Sequence, residues 1–214
     1  MLAYHGDEGL KAQLIAQMEA HRAADEIVQG RFWRGGKGCA VGCLAHTEDN
    51  PHEATSELTG FPLPVCHLME TIFEGLSVNE AKEFPLQVLH AVPVGKDFSG
   101  VTDRFTLFVL QDVKQYADEA TLPCIQSVID LYHRKVKGEE PLDKEWSAAE
   151  SAAWAAESAA WAAESAAWAA ESAARAAWAA GAAESAAWAA ESAAWAAGAA
   201  RAKYRDEFLR LLGE

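Results

Sequence analysis

From Ser147 to Ala200 the chain repeats the unit Ser-Ala-Ala-Trp-Ala-Ala-Glu, and 32 of those 54 residues are alanine. Alanine stands at the top of the helix-propensity scale because it gives up no side-chain freedom on entering a helix, so local preference alone makes the stretch helical. At about 100° per residue, Trp154, Trp161 and Trp168 form a row edged by serine on one side and glutamate on the other. The alanine positions fall on the opposite arc. The helix therefore offers a bare alanine surface that lets another helix approach closely, and a tryptophan face. A seven-residue period drifts by about 20° per repeat on a straight helix and favours left-handed supercoiling around a partner. Glutamate follows each of these tryptophans by three residues where a leucine zipper has its second apolar knob, so the pattern is not a zipper.

The repeat then slips. Arg175 stands where the next tryptophan is due, Trp178 takes a glutamate position, and Gly181 follows. Glu171 and Glu184 are 13 residues apart, one short of two heptads, which rotates the later pattern by about 100°. Gly181 has neither proline nor Asn/Asp beside it. A single continuous helix roughly 100 Å long is therefore expected at 1.5 Å per residue, with a coiled coil or a helical hairpin turning at Gly181 as the alternative. Trp154, Trp161, Trp168, Trp178, Trp188 and Trp195 make up the expected interaction face.

A shift in composition at Lys137-Gly138-Glu139-Glu140-Pro141 divides the chain into a globular part, residues 1–140, a linker, 141–146, and the repeat helix, 147–214. The net charge is −14; residues 1–146 carry 13 basic against 23 acidic side chains, and residues 147–214 carry 5 against 9. Both parts are acidic, which makes nucleic acid and anionic membrane poor electrostatic partners. Glutamates interrupt the alanine tract too often for it to span a bilayer. His5, Asp7 and Glu8 follow Met1 where a signal peptide would have its apolar region. Four cysteines in an otherwise ordinary composition suggest free thiols in a reducing cytoplasm.

Within the globular part, Glu8 to Gln29 has the spacing of an amphipathic helix, with Leu10, Leu14, Ile15 and Met18 on one stripe. Arg31 to Gly38 is a glycine-rich loop, and Cys39 to His46 a short helix of small residues. Glu48 to Gly60 is a polar connection with a helical turn at His52 to Leu58. Phe61-Pro62-Leu63-Pro64 starts a helix that carries Val65, Leu68, Met69, Ile72, Phe73 and Leu76 at helical spacing. Ser77-Val78-Asn79-Glu80 is a capping-box pattern for a short helix ending near Phe84, and Pro85 to Val92 gives another. Val101 to Val113 is apolar enough for a central helix, with a strand as the alternative. Pro123 to Lys137 is helical with Ile125, Val128, Ile129, Tyr132 and Val136 inward. The fold class predicted is all-α: a small helical domain followed by the long Ala/Trp-repeat helix.

The run Gly38-Cys39-Ala40-Val41-Gly42-Cys43-Leu44, with Phe73-Glu74-Gly75-Leu76 and Pro93-Val94-Gly95-Lys96-Asp97, resembles a family of uncharacterised bacterial and phage proteins. Its members often carry an Ala/Trp/Glu/Ser-rich C-terminal repeat. The resemblance covers most of the chain and implies a setting, in which a phage or prophage protein binds and blocks a host protein; it implies no activity.

Three chemistries are conceivable around residues 31–46. Cys39 follows a glycine loop at a helix N-terminus, where the dipole together with Arg34 and Lys37 would lower a thiol pKa. His46 is a base for it, with His52 and His67 further away, but no cysteine-protease signature is present. Against this, small Cys and Gly residues simply allow two helices to pack tightly. Cys39 and Cys43 share a helix face that His46, Cys66 or His67 could complete as a zinc site. The spacing is unlike a zinc knuckle, so neither a metal nor a cofactor is expected. Lastly, Arg31, Arg34 and Lys37 with the amides of Gly35 to Gly38 could hold an anion, although the pattern is not a P-loop.

The function expected is a non-enzymatic interaction or assembly protein with a protein partner and with self-association through the repeat. The alternative is a cysteine-dependent enzyme, or a binder of anions or small molecules, using the Arg31–His46 loop. A buried Cys39 removes the enzyme. The two architectures of the repeat differ in the sign of one substitution. Gly181→Ala in a continuous helix raises stability by up to about 1 kcal/mol. At a left-handed turn it lowers stability by about 1–2 kcal/mol. The thermal melt of the single variant is expected to rise, and a fall identifies the hairpin.

Overall fold

The computed structural model describes residues 2–116, 119, 122–149 and 201–214. The six repeat tryptophans, Gly181 and the choice between long helix and hairpin lie outside those residues. Within them the fold is all-α apart from one small hairpin. The chain divides into two compact units. The described part of the first is residues 2–105 with 201–214, and that of the second is 106–116, 119 and 122–149.

Helix α1 (Glu8–Ala23) opens on Asp7, whose carboxylate accepts the amides of Gly9 at 2.7 Å and Leu10 at 3.2 Å. It thereby satisfies donors that have no partner within the helix. The spacing carries this helix to Gln29, but it ends at Ala23. Asp25 takes a left-handed conformation with φ of 57°. The chain then runs beside Gly38: Val28 N–H donates to the Gly38 carbonyl at 2.8 Å, and Gly38 N–H to the Glu26 carbonyl at 3.0 Å. Ile27 and Val28 are β-branched, stiff at χ1, and suit this sheet-like pairing better than a helix end.

The Arg31–Gly38 segment is also more regular than a loop. Strands β1 (Trp33–Arg34) and β2 (Lys37–Gly38) form an antiparallel hairpin with Trp33 opposite Gly38. Gly35 and Gly36 turn it at φ of 61° and 82°, the two positive values that a two-residue hairpin turn demands. Helices α2 (Ala40–Ala45), α3 (Pro51–Thr59) and α4 (Leu63–Gly75) follow. The stretch containing α3 reads as a polar connection because its buried residues after Pro51 are Thr55, Ser56 and Thr59. Each hydroxyl donates to a carbonyl, of Val41 (3.2 Å), Phe61 (2.6 Å) and Thr55 (2.7 Å) respectively, which offsets the cost of burying it.

Helix α5 (Val78–Ala91) begins with the capping box of Ser77 and Glu80. It is one helix, not the two divided at Pro85. A proline inside a helix costs about 3 kcal/mol. Phe84, Leu86, Val88 and Leu89 are all buried as α5 packs on α1 and α4. Four such side chains, at about 1.5–3 kcal/mol each, outweigh the proline.

Helix α6 (Val101–Val113) is helical, not the strand alternative. Its first turns, Val101 and Phe105, are buried in the core of the first unit. The closing piece of that core is a helix at residues 201–213, which the sequence groups with the repeat. Phe208, Leu211 and Leu212 have no exposed surface. The Phe208 ring meets Phe105 edge-on at 5.5 Å and lies 6.4 Å from Phe84. Arg205 pairs with Glu80 at 2.8 Å, and the Lys96 ammonium donates to the Leu211 carbonyl at 3.2 Å.

In the second unit, α7 (Leu122–Val136) buries Ile129 and Leu131 and half-buries Ile125, Val128 and Tyr132. Val136, expected inward, is exposed. Residues 143–149 are helical and lie against α7: Tyr132 meets Trp146 edge-on at 5.2 Å, and Arg134 bonds Glu145 at 2.7 Å. No helix among the described residues is long and apolar enough to cross a membrane.

Phe208→Ala removes a fully buried ring from between two others. It is expected to lower the stability of the first unit by about 3–5 kcal/mol, measured as the shift in the urea midpoint of the full chain.

Candidate functional site

The motif Gly38-Cys39-Ala40-Val41-Gly42 is a seat for backbone. A Cβ at Gly38 or at Gly42 would overlap the Phe32 carbonyl oxygen. Only glycine at both positions lets the Phe32 peptide approach α2 so closely. Cys39 N–H donates to the carbonyls of Arg31 (2.9 Å) and Phe32 (3.1 Å). The residues just before are gripped from α4. Gly30 N–H donates to both carboxylate oxygens of Glu74 at 3.0 Å. The Gln29 side-chain amide donates to the carbonyls of Phe73 (2.9 Å), Glu74 (3.2 Å) and Leu76 (2.9 Å) at the end of α4, where the helix leaves carbonyls to be satisfied from outside. Residues 29–32 are thus held on two sides before any side chain is displayed.

Arg31, Phe32 and Arg34 line one surface hollow of about 600 Å³ together with Gly30 and Glu48. Lys37, grouped with the two arginines by sequence, does not line it; its ammonium donates to the Asp25 carbonyl at 3.1 Å. The Gly38 amide is likewise committed to Glu26, so the proposed cradle of amides from Gly35 to Gly38 is incomplete.

Cys39 caps α2 but has no exposed surface. Burial pushes its thiol well above the ordinary range, and the neighbouring Glu70 carboxylate adds to the rise. This overturns the expectation of a lowered thiol pKa. Helix α2 has six residues, and its dipole is too small to overcome desolvation. Burial also pushes Cys43 and Cys66 up to about 12. Burial therefore holds Cys39, Cys43 and Cys66 in the neutral thiol form. Among the described residues no three His, Cys, Asp or Glu side chains are arranged to hold a metal ion.

His46 engages other partners than Cys39. It closes α2 with φ of 53° and stacks on Trp33 at 4.4 Å. Its Nε2 lies 2.7 Å from Nε2 of His21, whose Nδ1 lies 2.7 Å from the Glu26 carboxylate. Burial, then the like charge of His21, lowers the His46 pKa. The row fastens the hairpin to α1: Glu26 orients His21, and His21 orients His46 beneath Trp33. His52 and His67 form a second pair, 4.1 Å apart, with the Phe32 ring edge-on to His52 at 5.5 Å.

Phe32, Glu48, His21, Glu26 and Glu70 were not singled out by sequence. An aromatic flanked by two arginines was a visible signal for Phe32. Glu48 lies beyond α2, and only folding brings it to the hollow. No family model, no curated protein and no solved structure matches this chain.

Glu70 is the unusual acid. Burial raises its pKa from 4.5 to about 7; the Cys39 thiol opposes the rise and Glu74 adds to it. One oxygen, Oε2, is buried with no hydrogen-bond partner among the described residues. A carboxyl whose folded pKa is raised stabilises the fold while protonated. Its contribution is complete below about pH 4.5 and is lost as pH rises through about 7. Glu70→Gln is therefore expected to match the native chain near pH 4 and to exceed it progressively up to pH 8. The gain is up to about 3 kcal/mol, read from urea melts across that range.

Proposed function

We propose that this protein is a non-enzymatic interaction protein that presents its tryptophan- and glutamate-edged repeat to a protein partner. The observation that carries the reading is the packing of the residues on either side of the repeat. Before it, Trp146 and Glu145 are fastened to α7 through Tyr132 and Arg134. After it, Phe208, Leu211 and Leu212 are fully buried. A chain that builds both flanks of a repeat into folded structure invests in presenting it.

The repeat's chemistry supplies the rest. Six tryptophans on an alanine background form an apolar surface larger than soluble monomers ordinarily expose, and the alanine face permits close helix contact. Self-association through the repeat is the first interaction proposed. The resemblance of the Gly38–Leu44 run adds a setting: a phage-encoded, cytoplasmic protein that acts by binding a host protein. The rival cysteine-dependent enzyme loses support because Cys39 is buried.

Multi-angle light scattering of the full chain at micromolar concentration tests this. The native chain is expected to elute as an oligomer, and the triple variant Trp154→Ala, Trp161→Ala, Trp168→Ala as a monomer with an unchanged melting temperature. A monomeric native chain would sink the proposal of self-association.

A further inference from the structure

We propose that the hollow lined by Gly30, Arg31, Phe32, Arg34 and Glu48 binds a nucleoside 5′-monophosphate. This goes beyond the interaction role and does not depend on it.

The charges around the hollow are uncommitted. Arg31 and Arg34 have no ion-pair partner among the described residues, although Glu48 lines the same space. Elsewhere in this acidic chain Arg22, Arg104, Arg134, Arg205 and Arg210 each pair with a carboxylate. Two guanidiniums and a carboxylate that share a hollow without closing on one another are free to address a ligand. They are also pre-positioned. The Phe32 peptide is seated on Gly38 and Gly42, and Gly30 is tied to Glu74, so binding orders little backbone.

Each group answers to one part of a nucleotide. Guanidinium forks match the oxygens of a phosphate better than any other side chain does. Phe32 is 40% exposed and meets His52 only edge-on, and an aromatic side chain of this kind stacks on a flat base sequence-tolerantly. Glu48 decides the class. Its carboxylate repels a bare anion but accepts from hydroxyl or amine donors, so the ligand carries donors as well as phosphate; ribose and base supply them. A hollow of about 600 Å³ is of the size used for small ligands. A long nucleic acid would bring many phosphates against a body of net charge −14, whereas a single phosphate meets the local arginines within a screening length of about 8 Å.

Isothermal titration calorimetry of the full chain tests the site with adenosine, guanosine, cytidine and uridine 5′-monophosphates, and with inorganic phosphate and adenosine as part-ligands. At least one nucleotide is expected to bind once per chain, about tenfold or more tighter than either part-ligand. Arg31→Ala and Arg34→Ala are each expected to weaken binding by about tenfold or more. Arg31→Lys and Arg34→Lys, which keep the charge but lose the fork, are expected to weaken it too. Both residues are exposed and have no ion-pair partner among the described residues, so the melting temperature should stay unchanged; where an alanine variant unfolds, its lysine counterpart decides. The proposal is overturned if no nucleotide binds at concentrations up to roughly 1 mM, if phosphate alone binds as tightly, or if the folded variants bind like the native chain.

Discussion

The Phe32 carbonyl is pressed against α2 at the one place where two glycines a turn apart leave no side chain in the way. Cys39 N–H holds it there. The close approach explains why residues 38–44 are so small, and why the segment before them cannot wander. It also joins three elements that otherwise have little in common. Helix α2 provides the seat, α4 grips the preceding residues through Glu74, and the segment after α1, Glu26 to Val28, pairs with Gly38 of β2 beside it. A single added methyl at Gly42 would push all three apart. The display of Arg31, Phe32 and Arg34 is a by-product of this tight fit, since side chains on a fixed backbone have only their own rotamers left to search.

The same tightness settles the chemistry of the cysteines. A thiol at a helix start is usually considered through the helix dipole, which is worth at most a kilocalorie or two. Removing a thiolate from water costs more, and a carboxyl buried beside it raises the cost again. Glu70 therefore favours the neutral thiol of Cys39, and burial keeps the pKa of Glu70 itself raised even though the thiol favours its ionised form. What looks in sequence like an activated nucleophile is in space a packed pair of neutral groups, one of which titrates near neutrality.

Signals carried by a few adjacent residues were legible: the Ser77 capping box, the proline-led start of α4, and the apolar runs that form α6 and α7. Features that depend on distant partners were not. Pro85 looks like a boundary until α1 and α4 bury its neighbours, and Thr55, Ser56 and Thr59 look like a solvated linker until their hydroxyls meet carbonyls. Arg31 and Arg34 were singled out as basic residues beside a glycine-rich run. Lys37 was grouped with them, but its ammonium donates to the Asp25 carbonyl in the turn after α1, and it does not line the hollow. Glu48 could not be found at all, since nothing in its own neighbourhood marks it. The closing helix at 201–213 was hidden by continuity, as its alanine-flanked start reads as more of the repeat.

That closing helix makes the first unit discontinuous in time as well as in sequence. On the ribosome, α1 to α6 emerge well before Phe208, so Phe84 and Phe105 wait with an open seam while the second unit and the entire repeat are made. Long-range closure of this kind slows folding, and the exposed seam is a natural hold for chaperones. It also acts as a proof of completion. A chain lost to frameshift inside the repetitive stretch never supplies the three residues that shut the core. One that gains or loses whole heptads in frame still does. Closure of the core thus depends on the reading frame through the repeat and not on the number of heptads in it.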